Sequence, residues 1–466
     1  MPLAASDTIV ALATARGLSA IAMVRLSGSE AVSIAARRFG PADLNDVVSN
    51  SATVGFLRSS DEEDIDQVVA TIFRAPASVT GEDVVEITCH GGDFASHLII
   101  SSLVESGARP ARPGEFTERA FLNGKIDLAQ AEAVADIIHA GSRKAHQVSI
   151  AQMKGGYSDL LEQIRQEMLD LCALVELELD FSEEDVAFAD RKRLDDLLAE
   201  SKALLTRLLA SYRYGSVVRD GVRIVIGGRP NAGKSTLLNA LVGFDRAIVS
   251  EIPGTTRDEI EAEAEFEGLR FRFFDTAGLR ETMDVLEAEG VRRAESSIKR
   301  ADALLYVFDA TVGLDENETA FLNNLQTSHP GLHVFRIANK IDLVEGDYAP
   351  EAFDKVEGQD FELSALAGLK DEHIVQPVLE AVLRAVRGEA SYSEGAIVVT
   401  NDRHRDHLEK AMVGLMNAAR SLAAGESGDL LALDLRIAMQ ELGAITGATT
   451  NEDVLGRIFS RFCIGK

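Results

Sequence analysis

Eight residues, Gly228-Arg229-Pro230-Asn231-Ala232-Gly233-Lys234-Ser235, follow the pattern GxxxxGK[ST]. They come directly after an apolar run and directly before Thr236-Leu237-Leu238, which opens a helical pattern. Glycines at this spacing let backbone N–H groups curl around phosphate oxygens, and the start of the following helix adds partial positive charge. Lys234 is placed to reach the β- and γ-phosphates, and the Ser235 hydroxyl to coordinate Mg2+. Asp275-Thr276-Ala277-Gly278 closes a second apolar run. Its aspartate suits Mg2+ held through water, and the Gly278 N–H suits the γ-phosphate. Asn339-Lys340-Ile341-Asp342 closes a third run. The Asp342 carboxylate can accept from guanine N1–H and the 2-amino group, whereas adenine would leave it unpaired. Ser364-Ala365 ends a fourth run and fits a last guanine-contacting loop. The ordered set, each at a strand end, reads as a guanine nucleotide site with Mg2+.

Between the first two motifs, Ser250-Glu251-Ile252-Pro253-Gly254-Thr255-Thr256 supplies a loop able to sense the γ-phosphate, with Thr256 as its Mg2+ ligand. Many hydrolases of this kind place a glutamine after the DxxG motif to orient the attacking water; here that position is Leu279, which cannot do so. Glu281, Asp284, Glu287 and Glu289 follow, each readable as a solvated helix face, and Arg257 and Arg280 are candidate cationic fingers. Spacing does not choose among them.

These groups need a scaffold. Strands are expected at Arg223–Ile226, Ile260–Phe266, Arg270–Phe274, Ala303–Phe308, His333–Ile337 and Asp360–Leu363, with helices between most of them. That alternation predicts a doubly wound, mainly parallel sheet over residues 218–388. The tight Glu267-Gly268 turn predicts one antiparallel edge pair. Residues 1–124 read as mixed α/β, with strands Thr8–Leu12, Ala20–Leu26, Val68–Phe73 and Val84–Thr88 and one or two helices. Residues 125–217 contain no proline and turn helical. Leu160, Ile164, Met168, Leu171, Val175 and Leu179 make one buried stripe, and Leu194, Leu198, Leu205 and Leu209 another. Residues 389–466 return to helix at 402–424 and 428–442, expected to pack on 125–217. The fold class is therefore multidomain α/β plus α, with the sheet domain inserted into a helical domain made of two segments.

The chain is strongly acidic, with a formal net charge of −28, which argues against broad, independent nucleic-acid binding. Mean hydropathy is close to zero, as in a globular protein. There is no apolar run long enough to span a bilayer and no signal-peptide pattern at Met1-Pro2-Leu3-Ala4, so no membrane role is expected. Three cysteines, Cys89, Cys172 and Cys463, form no CxxC pair and fit a reducing, cytoplasmic compartment.

Over nearly its whole length the chain resembles the bacterial tRNA-modification GTPase family called MnmE or TrmE. The nucleotide motifs and Gly254-Thr255-Thr256-Arg257-Asp258 are shared with ribosome-assembly GTPases. More specific are Gly81-Glu82-Asp83-Val84-Val85-Glu86, His90-Gly91-Gly92, the run from Arg112-Pro113-Gly114 to Asn123-Gly124-Lys125, Asp127-Leu128-Ala129-Gln130-Ala131-Glu132-Ala133, and the terminal Phe462-Cys463-Ile464-Gly465-Lys466. The resemblance implies an N-terminal domain (1–124) that dimerises and binds 5-formyltetrahydrofolate or a related tetrahydrofolate. It implies helical segments 125–217 and 389–466 around a G domain (218–388). It also implies a homodimer that joins a flavin-dependent MnmG-type partner in a heterotetramer, using a folate one-carbon unit to build a carboxymethylaminomethyl-type group on the wobble uridine of certain tRNAs.

Residue roles follow from the same resemblance. Asn231 is expected to coordinate a K+ that stands in for an arginine finger, with Ser250, Ile252 and Thr255 completing its shell. Ser235 and Thr256 would hold Mg2+, and Glu287 would be the general base. Arg25, Glu86, Lys125 and Lys466 would contact folate, and Cys463 would serve the modification. Two departures stand out. Ala15-Arg16-Gly17-Leu18-Ser19-Ala20 replaces the family's Pro-Gly-Arg-Gly-Gly-like turn, and Ser250 replaces a more familiar threonine. A ribosome-assembly GTPase is the alternative, but such factors carry a basic RNA-binding module instead of the folate-type motifs. A folate-dependent aminomethyl transferase merely regulated by its G domain is a third reading.

Overall fold

A computed structural model describes residues 7–180, 191–243, 262–275, 298, 300–344, 359–387, 396–425, 427–450, 452–460 and 462–465. It divides into two compact units. One comprises Met1–Ala135, Gln152–Leu174 and Leu435–Lys466; the other comprises Asp136–Ala151 and Val175–Asp434.

The first unit is built on a seven-stranded sheet: β1 (Ile9–Leu12), β2 (Ile21–Ser27), β3 (Phe39–Gly40), β4 (Ser51–Arg58), β5 (Asp64–Phe73), β6 (Val84–His90) and β7 (Arg109–Pro110), in the order β3-β4-β5-β6-β2-β1-β7. Neighbours run antiparallel except the β1–β7 pair. Alternation assigns the faces. In β6, Val85, Ile87 and Cys89 point into a core with Val24, Leu26, Val68 and Ala70. The helices Ala31–Ala36 and Asp93–Glu105 close this core with Val32, Ile34, Ile99 and Leu103. A third helix, Glu115–Leu122, covers the opposite face only at the β1 end, where Phe116 packs on Ile9 and Ala11. The residue pattern implied one or two helices here, and the structure has three α-helices among the described residues. The rest of this face leaves Ile21, Val54, Phe56 and Val69 exposed.

β4 was not expected from the residue pattern. Its outward Val54 and Phe56 are as apolar as its inward Leu57, so no polar/apolar alternation marks it. Gly55 is required there, because a Cβ would sit 2.4 Å from the Phe39 ring.

Among the described residues the second unit carries six strands: β8 (Val222–Gly227), β9 (Ala262–Phe266), β10 (Leu269–Asp275), β11 (Ala303–Asp309), β12 (His333–Asn339) and β13 (Asp360–Leu363), in the order β13-β12-β11-β8-β10-β9. All neighbours are parallel except the β9–β10 hairpin, whose Glu267 and Gly268 both take positive φ. The expected mainly parallel sheet with an antiparallel edge is therefore present. Both faces are covered: Ile224, Ile226, Phe271 and Phe273 face one core, and Val225, Leu304, Tyr306 and Val334 face the other.

The helix Gly156–Asp180 buries Tyr157, Leu161, Ile164, Met168, Leu171 and Val175. The stripe is the expected one but begins at Tyr157, which moves Leu161 rather than Leu160 into the buried row. In the helix Arg191–Asp220, Leu208 similarly takes the place expected of Leu209. Leu179 lies outside the described side chains. The helix Asp402–Ala424 packs on Arg191–Asp220 and buries Leu408, Ala411 and Leu415, in line with its amphipathic pattern. The helices Gly428–Thr446 and Glu452–Phe459 follow. Among the described residues no helix is long and apolar enough to cross a membrane.

Candidate functional site: a nucleotide site and an N-terminal sheet site

The carboxyl ends of β8, β10, β11, β12 and β13 lie along one edge of the parallel sheet, where ligands of such folds bind. The loop after β8 turns sharply. Gly228 has φ +131, and a Cβ there would lie 1.9 Å from the Val307 carbonyl oxygen. Gly233, at φ +96, is also restricted to glycine, since a Cβ would meet Asn339 Nδ2 at 2.1 Å. Asn231 takes a positive φ without being glycine. The helix Lys234–Val242 then starts with no side-chain cap, so its first-turn N–H groups are open to an anion. Lys234 Nζ donates to the carbonyl oxygens of Gly228 and Arg229, each at 3.0 Å. The Ser235 side chain is exposed, while Ala232 is buried and Thr236 partly so.

Asn339 joins the motifs. It is 3% exposed; its Nδ2 donates to the Ala232 carbonyl at 2.8 Å, and its Oδ1 accepts from the Ala365 N–H at 2.8 Å. One buried side chain thus binds the phosphate loop, the end of β12 and the loop after β13. Lys340 follows in the left-handed region and ion-pairs with Asp309 at 2.7 Å. Partial burial opposes ionisation of Asp309, but hydrogen bonds from Lys340 and Thr311 and the Lys340 charge outweigh it and lower its pKa. Asp342 lies exposed in the short turn Ile341–Leu343, free to meet a ligand. Ser364 is buried and accepts from the Ala367 N–H, capping the short helix Ala365–Gly368. The structure therefore brings together Ala232, Gly233, Lys234, Asn339, Lys340, Ser364 and Ala365.

Asp275 ends β10, in register with Ile226. Ser250, Glu251, Ile252, Pro253, Gly254, Thr255, Thr256, Thr276, Ala277, Gly278 and Glu287 lie outside the described residues, as does Lys466. Asp309 and the Arg229 side chain escaped the sequence reading. Their partners come from other strands and helices, so spacing carried no signal. The Asp315-Glu316-Asn317-Glu318 capping pattern beside Arg229 was legible.

In the first unit, Arg25 and Glu86 are direct cross-strand partners on β2 and β6. Arg25 Nε and Nη2 both reach Glu86 Oε1, at 2.9 and 2.7 Å, and the guanidinium lies 5.8 Å from the Phe116 ring centre. Both partners are 19% exposed, so the pair is sheltered yet reachable. The C-terminal tail comes to the same strands. The Gly114 N–H donates to the Cys463 carbonyl at 3.3 Å. Gly465, at φ +95, lies so close to β1 that a Cβ would be 2.2 Å from the Leu12 carbonyl oxygen. Ala11, the residue before Leu12, is the register partner of Arg25. Phe459 and Phe462 anchor the tail against Leu128 and Ala131. The Cys463 side chain is exposed, whereas Cys89 and Cys172 are buried. Lys125 Nζ donates to the Pro76 carbonyl at 3.1 Å, and its stem lies against Gly81.

A buried network braces this region, and it too was missed from sequence. Arg119, 3% exposed, contacts Asp7, Glu82 and Glu115. Burial works against ionised Glu115, but Arg109, the Arg112 N–H and Arg119 hold its pKa down at about 2.

A profile of the GTP-binding protein TrmE N-terminus matches residues 8–125, and one of the MnmE helical domain matches residues 128–463. The tRNA modification GTPase MnmE of Salinibacter ruber is 59% identical over 461 residues, covering 99% of each chain. The chain belongs to the MnmE family of tRNA modification GTPases. That of Cytophaga hutchinsonii is 43% identical over 461 residues, covering 99% of this chain and 98% of its own. Among solved structures, the GDP·AlF4−-bound Era of Aquifex aeolicus matches 41% of this chain and 66% of its own at 27% identity and a TM-score of 0.27. That score is low, and the G-domain fold rests on the sheet itself. As an MnmE-family member the chain is a GTP hydrolase, and the full-length match removes the ribosome-assembly alternative.

Proposed function

We propose that this chain couples GTP hydrolysis to modification of the wobble uridine of certain tRNAs at carbon 5. It would act as a cytoplasmic homodimer with an MnmG-type flavoprotein and draw the one-carbon unit from a tetrahydrofolate. One observation carries the folate part of this reading: the tail bearing Cys463 and Gly465 is seated on β1, beside the Arg25–Glu86 pair. A pterin edge presents adjacent N–H donors suited to a carboxylate, and both Arg25 contacts fall on Glu86 Oε1, leaving Oε2 for such a ligand. The Phe116 ring adds an apolar face. Lys125 and the terminal Lys466 supply cations for an anionic tail. The exposed Ile21, Val54, Phe56 and Val69 face is the surface proposed for homodimerisation, because a second copy would bury it. The domain limits proposed are 1–124, 125–217, 218–388 and 389–466.

In the G domain, Ser235 and Thr256 offer hard hydroxyl oxygens for Mg2+, and Asn231, Ser250, Ile252 and Thr255 offer amide, hydroxyl and carbonyl oxygens for K+. When bound, these cations would offset charge developing on the phosphates. Lys234 binds phosphate, Asp342 selects guanine, and Glu287 takes the proton from the attacking water in place of the absent glutamine. Hydrolysis then drives rearrangement rather than forming the product. The test is mass spectrometry of tRNA nucleosides from cells lacking the protein. The proposal expects wobble uridines without the carbon-5 group; fully modified uridine would refute it. Equal hydrolysis rates in K+ and Na+ would remove the K+ role alone.

A further inference from the structure

We propose that Arg229 is a positioning residue for nucleotide binding: clasped by the helix Glu316–Ser328, it holds the phosphate-binding loop, and with it Lys234, in the binding conformation before nucleotide arrives. The loop has little backbone support of its own. It contains Asn231 at a positive φ, and its internal Ala232 N–H to Arg229 carbonyl contact is long at 3.3 Å. Such a segment, left free, would lose affinity to the cost of ordering it on each binding event.

The clasp supplies a second constraint, beside the bond from Asn339 to the Ala232 carbonyl. Arg229 Nη2 lies 2.7 Å from Asp315 Oδ2 and 2.6 Å from Glu318 Oε2. Glu318 is itself fixed: the Tyr306 hydroxyl donates to Oε1 at 2.7 Å, and the Asp315 N–H to Oε2 at 3.0 Å. Asp315 Oδ1 in turn accepts from the Glu318 N–H at 2.8 Å, completing a capping box. Glu318 is only 8% exposed, so its charge needs these partners. Arg229 thus grips a carboxylate locked between β11 and a helix start. On its backbone side, the Arg229 carbonyl accepts from Lys234 Nζ. The residue anchored to the helix also sets the lysine that meets the phosphates. This inference uses only the loop's phosphate-binding role and does not depend on the folate, K+ or tRNA assignments.

The test uses the full chain and variants Arg229→Ala, Glu318→Gln and the double change, titrated with a fluorescent GDP and with GTP. Each single change is expected to weaken GDP and GTP binding alike, by ~10-fold, with kcat at saturating GTP within ~2-fold and Tm unchanged. The double variant should bind as Arg229→Ala does, because the contact that Glu318→Gln weakens is already lost when Arg229 is removed. Arg229→Lys should recover part of the loss, as a cation without the planar fork. Unchanged affinity in Arg229→Ala overturns the proposal. So does an additive, ~100-fold loss in the double variant, or weakening that appears only alongside a lowered Tm.

Discussion

The two candidate sites are assembled in opposite ways. The nucleotide site gathers short, contiguous motifs at the ends of parallel strands, and one buried side chain, Asn339, ties three of them together. The N-terminal site has no contiguous motif at its centre. It rests on a cross-strand pair, Arg25 and Glu86, and on a tail from the far end of the chain. The first gathers local turns that side chains from other strands and helices hold in place; the second depends on docking of the tail. Damage to one should leave the other intact if their construction is as separate as this.

The largest expected effect follows from Asn339→Ala. It leaves the Ala232 carbonyl and the Ala365 N–H without their partner in a buried place. Unpaired buried groups of this kind cost about 3 kcal/mol together, roughly a hundredfold in nucleotide affinity. GDP titration should show that loss while 5-formyltetrahydrofolate binding stays as in the parent. Parallel loss of both would collapse the distinction between the sites.

Glu86→Gln comes next and probes the other side. Removing the charge that faces Arg25 should weaken 5-formyltetrahydrofolate by about 2 kcal/mol, roughly thirtyfold, with GDP affinity unchanged. An unaltered folate titration would remove the pair from the site. Gly465→Ala should do slightly less. Its Cβ would fall 2.2 Å from the Leu12 carbonyl, so the tail must lift from β1. We expect about a tenfold drop in tRNA modification in cells, from a strained left-handed position and a steric clash, with GTP hydrolysis by the purified protein retained. Undiminished modification would show that the tail can work undocked.

How much of this was legible in sequence follows the same division. The central strands of the second unit are buried on both faces and read as apolar runs, as in Leu304–Phe308, so a mainly parallel sheet could be inferred. β4 could not, because its Val54 and Phe56 face outward and erase the alternation. The motifs named Asn339 for guanine recognition, but its tie to Ala232 and Ala365 depends on three strand ends meeting. The Arg229 clasp, the Asp309–Lys340 pair and the Arg119 network join residues far apart in the chain, and a single sequence carries no record of such distances. Leu161 in place of Leu160 shows the smaller limit: periodicity finds a stripe but not its phase.

The smallest predicted effect concerns the brace under the N-terminal site. Glu115 has its pKa lowered from 4.5 to about 2 in the folded chain, so folding favours its ionised form. Its contribution is therefore fully present above about pH 4.5 and is lost as pH falls through about 2. Arg109, its main partner, is 41% exposed and screened by water. After that discount about 1 kcal/mol of local stability remains. The Arg112 N–H donates to Glu115 Oε2 at 2.8 Å and reports directly on the brace. Its hydrogen-exchange protection, corrected for intrinsic rate, should exceed that of Glu115→Gln at pH 5, and the gap should close as pH approaches 2. Amides of the phosphate loop should show no such gap, since Glu115 belongs to the other unit. A gap that persists at pH 2 would mean that the carboxylate charge does not hold this corner together.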